Sequence, residues 1–367
     1  MFIITNREVN NSARGLARLG ATPNIKGPNE LRLVEAEKKS RSWNITILPD
    51  EITPAMRKRA GIEQSESPVY ASEYVARTLF TRVRKEKRNL LFFVHGYNND
   101  IKSLLERAHT LERLYGVEVL AFSWPANGGG LRGVSSYKSD KRDAKASVGA
   151  FDRCLGRFNE LLTKMMETEV EQLHIEAETH FPDDSEKREQ YFARLMEKRC
   201  PLTVNMMLHS MGNYLYKHTL LSTVGNGMYL SFDNVIMAAA DTNNAEHALW
   251  VDRIPCRKAV YITINENDSA LLASRMKAGE QQQARLGHYR HNLNSTQATY
   301  VDFTDAANVG NSHAYFEGTT VRSKKSAVRQ FFQQAFNGQR AEQALEFDPA
   351  NRMYLIERSA PHPTDNI

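Results

Sequence analysis

The sequence predicts an α/β fold in which a mostly parallel central sheet carries helices on both faces. Short β-rich apolar runs alternate with helical patterns through the middle of the chain, which is typical of a parallel sheet covered by helices. With 367 residues, 41% of them hydrophobic and 25% charged, the chain can form one large domain with insertions or two modest domains. This composition excludes disorder as the main state.

Apolar runs and their spacing predict the order of the elements. Strands are expected at 2–5, 43–48, 89–95, 117–124, 203–209, 234–240, 259–265 and 299–303. Helices are expected at 71–85, 101–115, 211–221, 245–250, 269–276 and 323–336. We therefore divide the chain into a core at 1–320 and a C-terminal helix and tail at 321–367.

One connection in this order is unusually long. More than seventy residues separate the strand that ends at 124 from the strand that begins at 203. The sequence thus predicts a helical insertion at about 126–200, with one helix at 144–168 and a second that begins near Pro182, Asp183 and Asp184. Such an insertion is either an active-site cap or a solvated helical hairpin without contact to substrate.

Composition and motifs exclude several classes of protein. The net charge of +5 is spread along the chain, so no nucleic-acid partner is expected. Cys154, Cys200 and Cys256 lack CxxC spacing, which argues against a zinc site or a disulfide framework and favours a reducing cytoplasm. Neither a signal peptide nor an integral membrane segment is expected. The motifs of nucleotide and metal sites are missing from the sequence, so no cofactor is predicted.

The segment PLTVNMMLHSMGNYLYKHTLL presents a serine where a strand gives way to a helix. A tight turn at Ser210 would hold its hydroxyl above the sheet, and the amide of Met211 would lie at the N-terminus of the helix, where it stabilises developing negative charge. Gly212 supplies the small residue that such a turn needs. The pattern predicts Ser210 as a nucleophile, although a serine before a helix is more often a simple N-cap.

A second apolar strand runs directly into the loop His95-Gly96-Tyr97-Asn98-Asn99. In the α/β-hydrolase fold this loop lies beside the nucleophile and donates a backbone N–H to the oxyanion. We expect that amide to be the one of Tyr97, paired with the Met211 amide. For His95 we favour a structural role in which it braces the loop.

The remaining residues of the site follow from the chain order serine, acid, histidine. Two strands after the serine end at an aspartate, and counting strands favours Asp268 over Asp241, with a plain helix N-cap as the competing role of Asp268. His313 lies in a Gly- and Asn-rich loop after the final predicted strand, whereas its rivals His288 and His291 precede that strand. The sequence therefore predicts Asp268 as the acid and His313 as the general base.

The chain resembles the α/β-hydrolase family known as the domain of unknown function 900, within the lipase and esterase superfamily. The segments that carry the resemblance run from about 1 to 320 in the order of the family, namely TNR, FVHGYNN, AFSWPANG, LHSMGNYLY, ENDSALLASR, RLG and SHAYF. The resemblance implies a hydrolase core with Ser210, Asp268 and His313 as its triad and with no cofactor. One departure is Leu208, because the family usually has a small residue two positions before the serine.

These observations favour a serine hydrolase that cleaves a carboxylic ester or related acyl bond of a small-molecule or lipid-like substrate. Two alternatives stay open. A non-catalytic binding scaffold would account for Leu208 and for the charged insertion. An acyltransferase would use the same three residues and exclude water from deacylation. No substrate-binding residue and no oligomeric state are predicted.

Overall fold

The central element of the computed structural model is a sheet of eleven strands. The structure describes residues 1–63, 67–126, 133–199, 202–222, 229–276 and 284–356, without the side chains of 133–136 and 199. The strands are β1 (Phe2–Thr5), β2 (Arg7–Val9), β3 (Leu19–Pro23), β4 (Arg32–Lys38), β5 (Trp43–Ile47), β6 (Leu90–Val94), β7 (Glu118–Ser123), β8 (Val204–His209), β9 (Asn234–Ala238), β10 (Ala259–Ile264), β11 (Ala298–Asp302), β12 (Glu346–Asp348) and β13 (Met353–Leu355).

The sheet is parallel through its middle and antiparallel at both edges. Its order is β12-β13-β11-β10-β9-β8-β6-β7-β1-β4-β5, while β2 and β3 form a separate pair. The strands from β13 to β1 run parallel to their neighbours. The pairs β1–β4, β4–β5 and β12–β13 are antiparallel. The carboxyl ends of the parallel strands therefore meet along one edge of the sheet, where ligands of such folds usually bind.

Helices cover the sheet on both faces. They are α1 (Pro54–Arg59), α2 (Ala71–Glu86), α3 (Ile101–Tyr115), α4 (Gly133–Ala146), α5 (Val148–His180), α6 (Ser185–Arg199), α7 (Met211–Leu220), α8 (Ala248–Val251), α9 (Ser269–Arg275) and α10 (Ala327–Phe336), with short 3-10 turns at Gly15–Arg18, Leu286–His288 and Ala341–Ala344.

Two apolar layers hold the helices on the sheet. Side chains of α2, α5 and α7 pack on one face, and side chains of α3 and α10 pack on the other. Successive residues of a strand feed opposite layers, as Phe92 of β6 packs with the first layer and Phe93 with the second. The predicted mostly parallel sheet with helices on both faces is confirmed.

The predicted strands and helices are all present, most of them with ends shifted by a few residues, but several elements were not predicted. These are β2, β3, β4, β12, β13, α1 and α4. The C-terminal segment is more than a helix and a tail, because β13 pairs with β11 and β12 pairs with β13. Strands of three residues contain too few positions to show a hydrophobic period. The stretch 357–367 lies outside the described residues.

The insertion consists of α4, α5 and α6. The first half of α5 packs on the core through Phe151, Cys154 and Leu155. Its second half, together with α6, forms a hairpin whose buried contacts include Leu173, Ala177 and Leu195. The helix α5 extends to His180, well beyond the predicted end at 168. In the described part of the chain, none of the helices combines the length and apolarity needed to cross a membrane.

Candidate active site

Ser210 occupies a strained turn between β8 and α7. Its backbone dihedral angles are φ 53° and ψ −119°, which residues other than glycine rarely adopt. Its amide donates to the carbonyl oxygen of Ala238 over 3.0 Å, and among the described residues its side chain makes no capping hydrogen bond to α7. The N-cap alternative for this serine therefore lacks the hydrogen bond that defines it. Positive φ at a serine between strand and helix is typical of a nucleophile elbow.

Two glycines allow this turn to fit against the neighbouring loop. A Cβ atom on Gly96 would lie 2.6 Å from Ser210 Cβ, and a Cβ atom on Gly212 would lie 2.9 Å from the carbonyl oxygen of Val94. Both distances are too short for a side chain. The loop after β6 and the start of α7 thus approach each other so closely that only glycine fits at either position.

Leu208 is fully buried in the apolar layer beneath the turn. It pairs with Val94 of β6 and Met237 of β9 and packs in the same cluster as Met211. Its carbonyl oxygen accepts a hydrogen bond from the side chain of Asn213 over 3.0 Å. The side chain of Leu208 therefore fits within the core, and Ser210 above it still has the strained conformation of an elbow.

Asp268 and His313 meet at the carboxyl edge of the sheet. The Nδ1 atom of His313 lies 2.7 Å from Oδ2 of Asp268, and the other carboxylate oxygen accepts from the amides of Ala270 and Leu271. Asp268 is fully buried, whereas the His313 side chain is 25% exposed. The carboxylate therefore caps α9 and orients the imidazole at the same time. With Nδ1 as the donor, Nε2 carries the lone pair that can accept a proton.

Asp241 belongs to a different buried network. Its Oδ1 atom accepts from the hydroxyl of Ser274 over 2.6 Å and lies 3.3 Å from Nε of Arg285, while Oδ2 accepts from the hydroxyl of Tyr137. Arg285 also donates to Asn243 over 2.6 Å. These contacts fix the insertion helix α4 to the end of β9.

The predicted oxyanion amides lie on the two segments that Gly96 brings together. Met211 is the first residue of α7, so its N–H has no acceptor within the helix. Tyr97 follows Gly96 in a loop that is held by Asn99, whose side-chain amide donates to the carbonyl oxygens of Tyr97 over 2.7 Å and of Gly96 over 3.3 Å. The amide of Asn98, which has φ 59°, donates to Asp140 of α4 over 3.2 Å.

The loop that carries His313 is anchored on both sides of the histidine. On one side, the side chain of Asn265 donates to the carbonyl oxygens of Gly310 and Ser312 over 3.0 and 3.1 Å. On the other side, the hydroxyl of Tyr115 donates to the carbonyl oxygen of Phe316 over 2.6 Å. Within the described part of the chain, Ser210 and His313 are not joined by a hydrogen bond. Such contacts are often long without substrate and shorten in the reactive complex.

His209 supports His313 directly. Its Nε2 atom lies 3.1 Å from the carbonyl oxygen of His313, and the centroids of the two rings are 4.8 Å apart. Burial holds the pKa of His209 well below its usual value, and the charges of His313 and Arg107 act in the same direction. His209 therefore stays neutral and donates to that carbonyl through Nε2. Apart from its position beside Ser210, nothing in the sequence pattern indicates this role.

Two arginines connect the separate segments of the site. Arg7 is 1% exposed and donates to Ser123 and to the backbone carbonyls of Asn99, Ala126 and Gly20. Burial lowers its pKa to about 10, against the raising effect of nearby aspartates, so the guanidinium remains charged at neutral pH.

Arg107 of α3 makes the second connection. It donates to Asn99 over 3.2 Å and to Glu317, which lies beyond His313, over 2.9 Å. Neither arginine was predicted to have a role in the site. Arg7 belongs to TNR, one of the segments that carry the family resemblance, whereas Arg107 lies in an ordinary helical pattern.

His95 braces the loop after β6, as expected. Its Nδ1 atom lies 2.9 Å from the carbonyl oxygen of Gly96, and its ring stacks on Trp124 with a centroid distance of 5.1 Å. Trp124 in turn donates to the carbonyl oxygen of His95 over 2.9 Å. Burial lowers the pKa of His95 to about 3, so the ring is neutral at physiological pH.

The first helix of the insertion lies beside the oxyanion loop. The ring of Tyr137 contacts the ring of Tyr97 edge to face at 5.5 Å, and its hydroxyl reaches Asp241. Lys141 lies over the ring of Tyr214, 4.8 Å from its centroid, and Tyr214 follows Ser210 by one turn of α7. These contacts make α4 a wall of the site, while the stretch 127–132 before it lies outside the described residues.

The rival histidines occupy other places. His288 is buried, and burial lowers its pKa although the nearby charges of Asp268 and Glu266 raise it. His291 contributes its backbone carbonyl, which accepts from Asn244 over 3.0 Å. Only His313 of the three makes a hydrogen bond to Asp268 among the described residues. In the whole described part of the chain, no group of three His, Cys, Asp or Glu side chains could hold a metal ion.

Comparison with known families identifies the family of the chain. The model of a family described as an alpha/beta hydrolase of unknown function (DUF900) matches residues 72–177 and 183–324, more than half of the chain. The chain belongs to this family. The match includes Ser210, Asp268 and His313 and begins after the TNR segment. No curated protein and no solved structure matches the chain.

Proposed function

We propose that this DUF900 protein is a serine hydrolase that cleaves a carboxylic ester or a related acyl bond. The observation that carries the proposal is the 2.7 Å contact between the His313 ring and the buried carboxylate of Asp268, at the sheet edge where Ser210 occupies a strained elbow. In this proposal Ser210 is the nucleophile, His313 the general base and Asp268 the orienting acid.

The proposed reaction begins with attack of Ser210 Oγ on the substrate carbonyl carbon. His313 Nε2 accepts the hydroxyl proton, and Asp268 holds the ring in the required tautomer and stabilises the imidazolium. The carbonyl oxygen becomes an oxyanion that the amides of Tyr97 and Met211 stabilise. The imidazolium then gives its proton to the leaving alcohol as the ester bond breaks, which leaves an acyl group on Ser210.

Deacylation uses the same residues with water as the nucleophile. His313 takes a proton from water, the resulting tetrahedral intermediate collapses, and the acid is released while Ser210 recovers its proton. The substrate in this proposal is a small or lipid-like acyl compound. The proposal includes a cytoplasmic location, which the cysteine spacing in the sequence supports.

The test combines covalent labelling with turnover. Wild-type protein should react with a fluorophosphonate probe and hydrolyse p-nitrophenyl esters between acetate and long acyl chains, and Ser210→Ala should lose both. Ser103→Ala is the matched control, because Ser103 is exposed on α3. Absence of labelling and of turnover in the wild type would contradict the proposal and favour a binding scaffold. Transfer of the acyl group to an added alcohol in preference to water would identify an acyltransferase.

A further inference from the structure

A cavity of about 650 Å³ lies between α2, α5 and the sheet, apart from the proposed catalytic residues. Its lining includes Val75 and Leu79 of α2, Leu161 of α5, Leu33 of β4 and Leu120 of β7. Neither Ser210 nor any other residue of the proposed triad and oxyanion pair lines it. The volume falls in the range of about 300–1,000 Å³ that is typical of small-molecule sites. We call this cavity the α2–α5 slot.

The slot has an apolar interior and a polar end. Leu90 lines the slot at the amino end of β6, where Leu90 pairs with Val204 of β8. Arg32 lines it at the opposite edge of the sheet, where it pairs with Thr5 at the carboxyl end of β1. Partly exposed apolar side chains, among them Phe80 and Phe158, also line the slot. An apolar chain placed there would remove this surface from water.

Three arginines line the slot, together with the carboxylates of Glu30 and Asp50. Arg32 pairs with Glu30 and Asp50, and Arg157 donates to Ser72 and Glu160. Arg153 differs from both, because it donates to the backbone carbonyl of Asn29 over 2.8 Å and has no carboxylate partner among the described residues. A guanidinium has five N–H donors, so Arg153 retains donors for an anionic group.

From this arrangement we propose that the α2–α5 slot binds a fatty acid, with the alkyl chain between α2 and α5 and the carboxylate at Arg153. The site is independent of the proposed hydrolysis, since it shares no lining residue with the catalytic group.

The first experiment is titration calorimetry of the full chain with laurate below its micelle concentration. Laurate should bind with saturation at a single site. Dodecyltrimethylammonium has the same chain length and the opposite charge, so it should bind at least about tenfold more weakly, a difference of about 1.4 kcal/mol. Failure of laurate to saturate, or equal affinity for the two amphiphiles, would overturn the proposal.

Two matched substitutions locate the site. Ala76 lines the slot on α2, so Ala76→Phe should fill part of it and weaken laurate binding at least about tenfold. Ala193 is exposed on α6 and does not line the slot, so Ala193→Phe should bind laurate like the wild type. Thermal unfolding of both variants verifies that they are folded. Equal laurate affinity of Ala76→Phe and wild type would overturn the assignment to this slot.

Further variants separate the head group from the catalytic site. Arg153→Gln should weaken laurate binding without weakening dodecyltrimethylammonium binding, because the guanidinium attracts only the anion. Ser210→Ala should bind laurate like the wild type, whether or not it retains esterase activity. If Ser210→Ala or fluorophosphonate labelling abolished laurate binding, the ligand would occupy the proposed catalytic site and the slot proposal would be wrong.

Discussion

At the scale of single residues, Asp268 has the most consequential set of contacts. One carboxylate oxygen caps α9 and the other accepts from His313. Asp268 is therefore both the N-cap of α9 and a hydrogen-bond partner of His313, through different oxygens, while its role as the catalytic acid stays a prediction. A single substitution can separate them because asparagine also caps helices well.

We expect Asp268→Asn to reduce kcat by about 10³- to 10⁴-fold, because an amide at this position favours the wrong imidazole tautomer. The loss of stability should be small, since the cap of α9 is retained. Steady-state hydrolysis of a p-nitrophenyl ester measures the first effect and thermal unfolding the second. The comparison variant is Asp241→Asn, which should destabilise the fold through Arg285 but keep turnover at temperatures where it is folded. The reverse pattern would make Asp241 the acid.

Because the pKa of His95 is lowered in the folded protein, we predict that the stability of the fold depends on pH. Its folded pKa of about 3 is depressed from 6.5, so below pH 6.5 the unfolded chain takes up a proton that the folded protein does not bind. The contribution of neutral His95 is present above pH 6.5 and is lost as the pH falls toward 3. Between pH 6 and pH 5 this linkage should cost about 1 kcal/mol of unfolding free energy.

Urea unfolding of wild type and His95→Asn at pH 7, 6 and 5 measures this linkage. The variant should be less stable at pH 7, because it loses the stacking on Trp124. Its deficit should shrink by about 1 kcal/mol from pH 6 to pH 5. A deficit that does not change with pH would show that His95 titrates normally in the folded protein.

The residues of the candidate site form two groups, those that a sequence pattern indicates and those that it does not. Ser210, Asp268 and His313 follow strands in a fixed order, and that order alone led to the expectation that Asp268 and His313 lie together, as their 2.7 Å contact shows. Arg7, Arg107 and His209 act through backbone carbonyls and side chains that are distant in the sequence. Contacts of this kind leave no periodic or local pattern, so they became visible only when the loops were placed together.

At the scale of elements, the close approach of the loop after β6 to α7 controls the site. Gly96→Ala would place a Cβ atom 2.6 Å from Ser210 Cβ and 2.9 Å from the carbonyl oxygen of His209. The elbow or the loop must then shift, and displacement of the oxyanion amides should lower kcat at least about 100-fold. Steady-state ester hydrolysis measures the effect.

Gly116→Ala is the matched control for this prediction. Gly116 ends α3 with φ 64°, and a Cβ atom placed there would meet no atom of the described residues within 4 Å. The substitution should therefore cost about 1 kcal/mol of stability through backbone strain and leave turnover unchanged. Equal kinetic effects of the two substitutions would refute the role assigned to the close approach.

How well the sequence predicts an element depends on the length of that element and on its burial. The strands β6 and β8 are buried throughout, β6 is apolar at every position and β8 at four of its six positions, so the sequence predicts them well. The helix α4 has a weak apolar pattern, and its Tyr137 and Asp140 are buried by polar contacts with Asp241 and Asn98. Tertiary hydrogen bonds therefore add to the packing of Tyr137 and Ala144 in the core, and the sequence pattern does not show these bonds.

At the scale of the whole molecule, the insertion combines two different parts. The helix α4 and the first half of α5 pack on the core, whereas the outer half of α5 packs on α6. With 33 residues, α5 is about 50 Å long, so its outer half extends past the sheet. The sequence predicts either a cap or a solvated hairpin, and that choice stays a prediction, because packing alone does not show contact with a substrate.

We expect replacement of 172–192 by a short Gly-Ser turn to leave both the melting temperature and ester turnover near the wild-type values. The residues removed pack mainly within the hairpin, as the stacked pair His174 and Phe192 illustrates. Differential scanning calorimetry and steady-state kinetics measure the outcome. A large loss of turnover with unchanged stability would assign the hairpin a part in substrate binding.

The antiparallel strands at the two ends of the sheet have a consequence for aggregation. An exposed edge strand offers unpaired backbone groups to other chains. Here β12 closes one end with three residues that include Glu346 and Asp348, and at the other end Arg18 donates to the carbonyl oxygen of Ile45 in β5 over 3.2 Å. Strand addition by a second molecule is thus opposed at both ends. Residues remote from Ser210 thereby prevent other molecules from extending the sheet, even at the high protein concentrations that favour fibril growth.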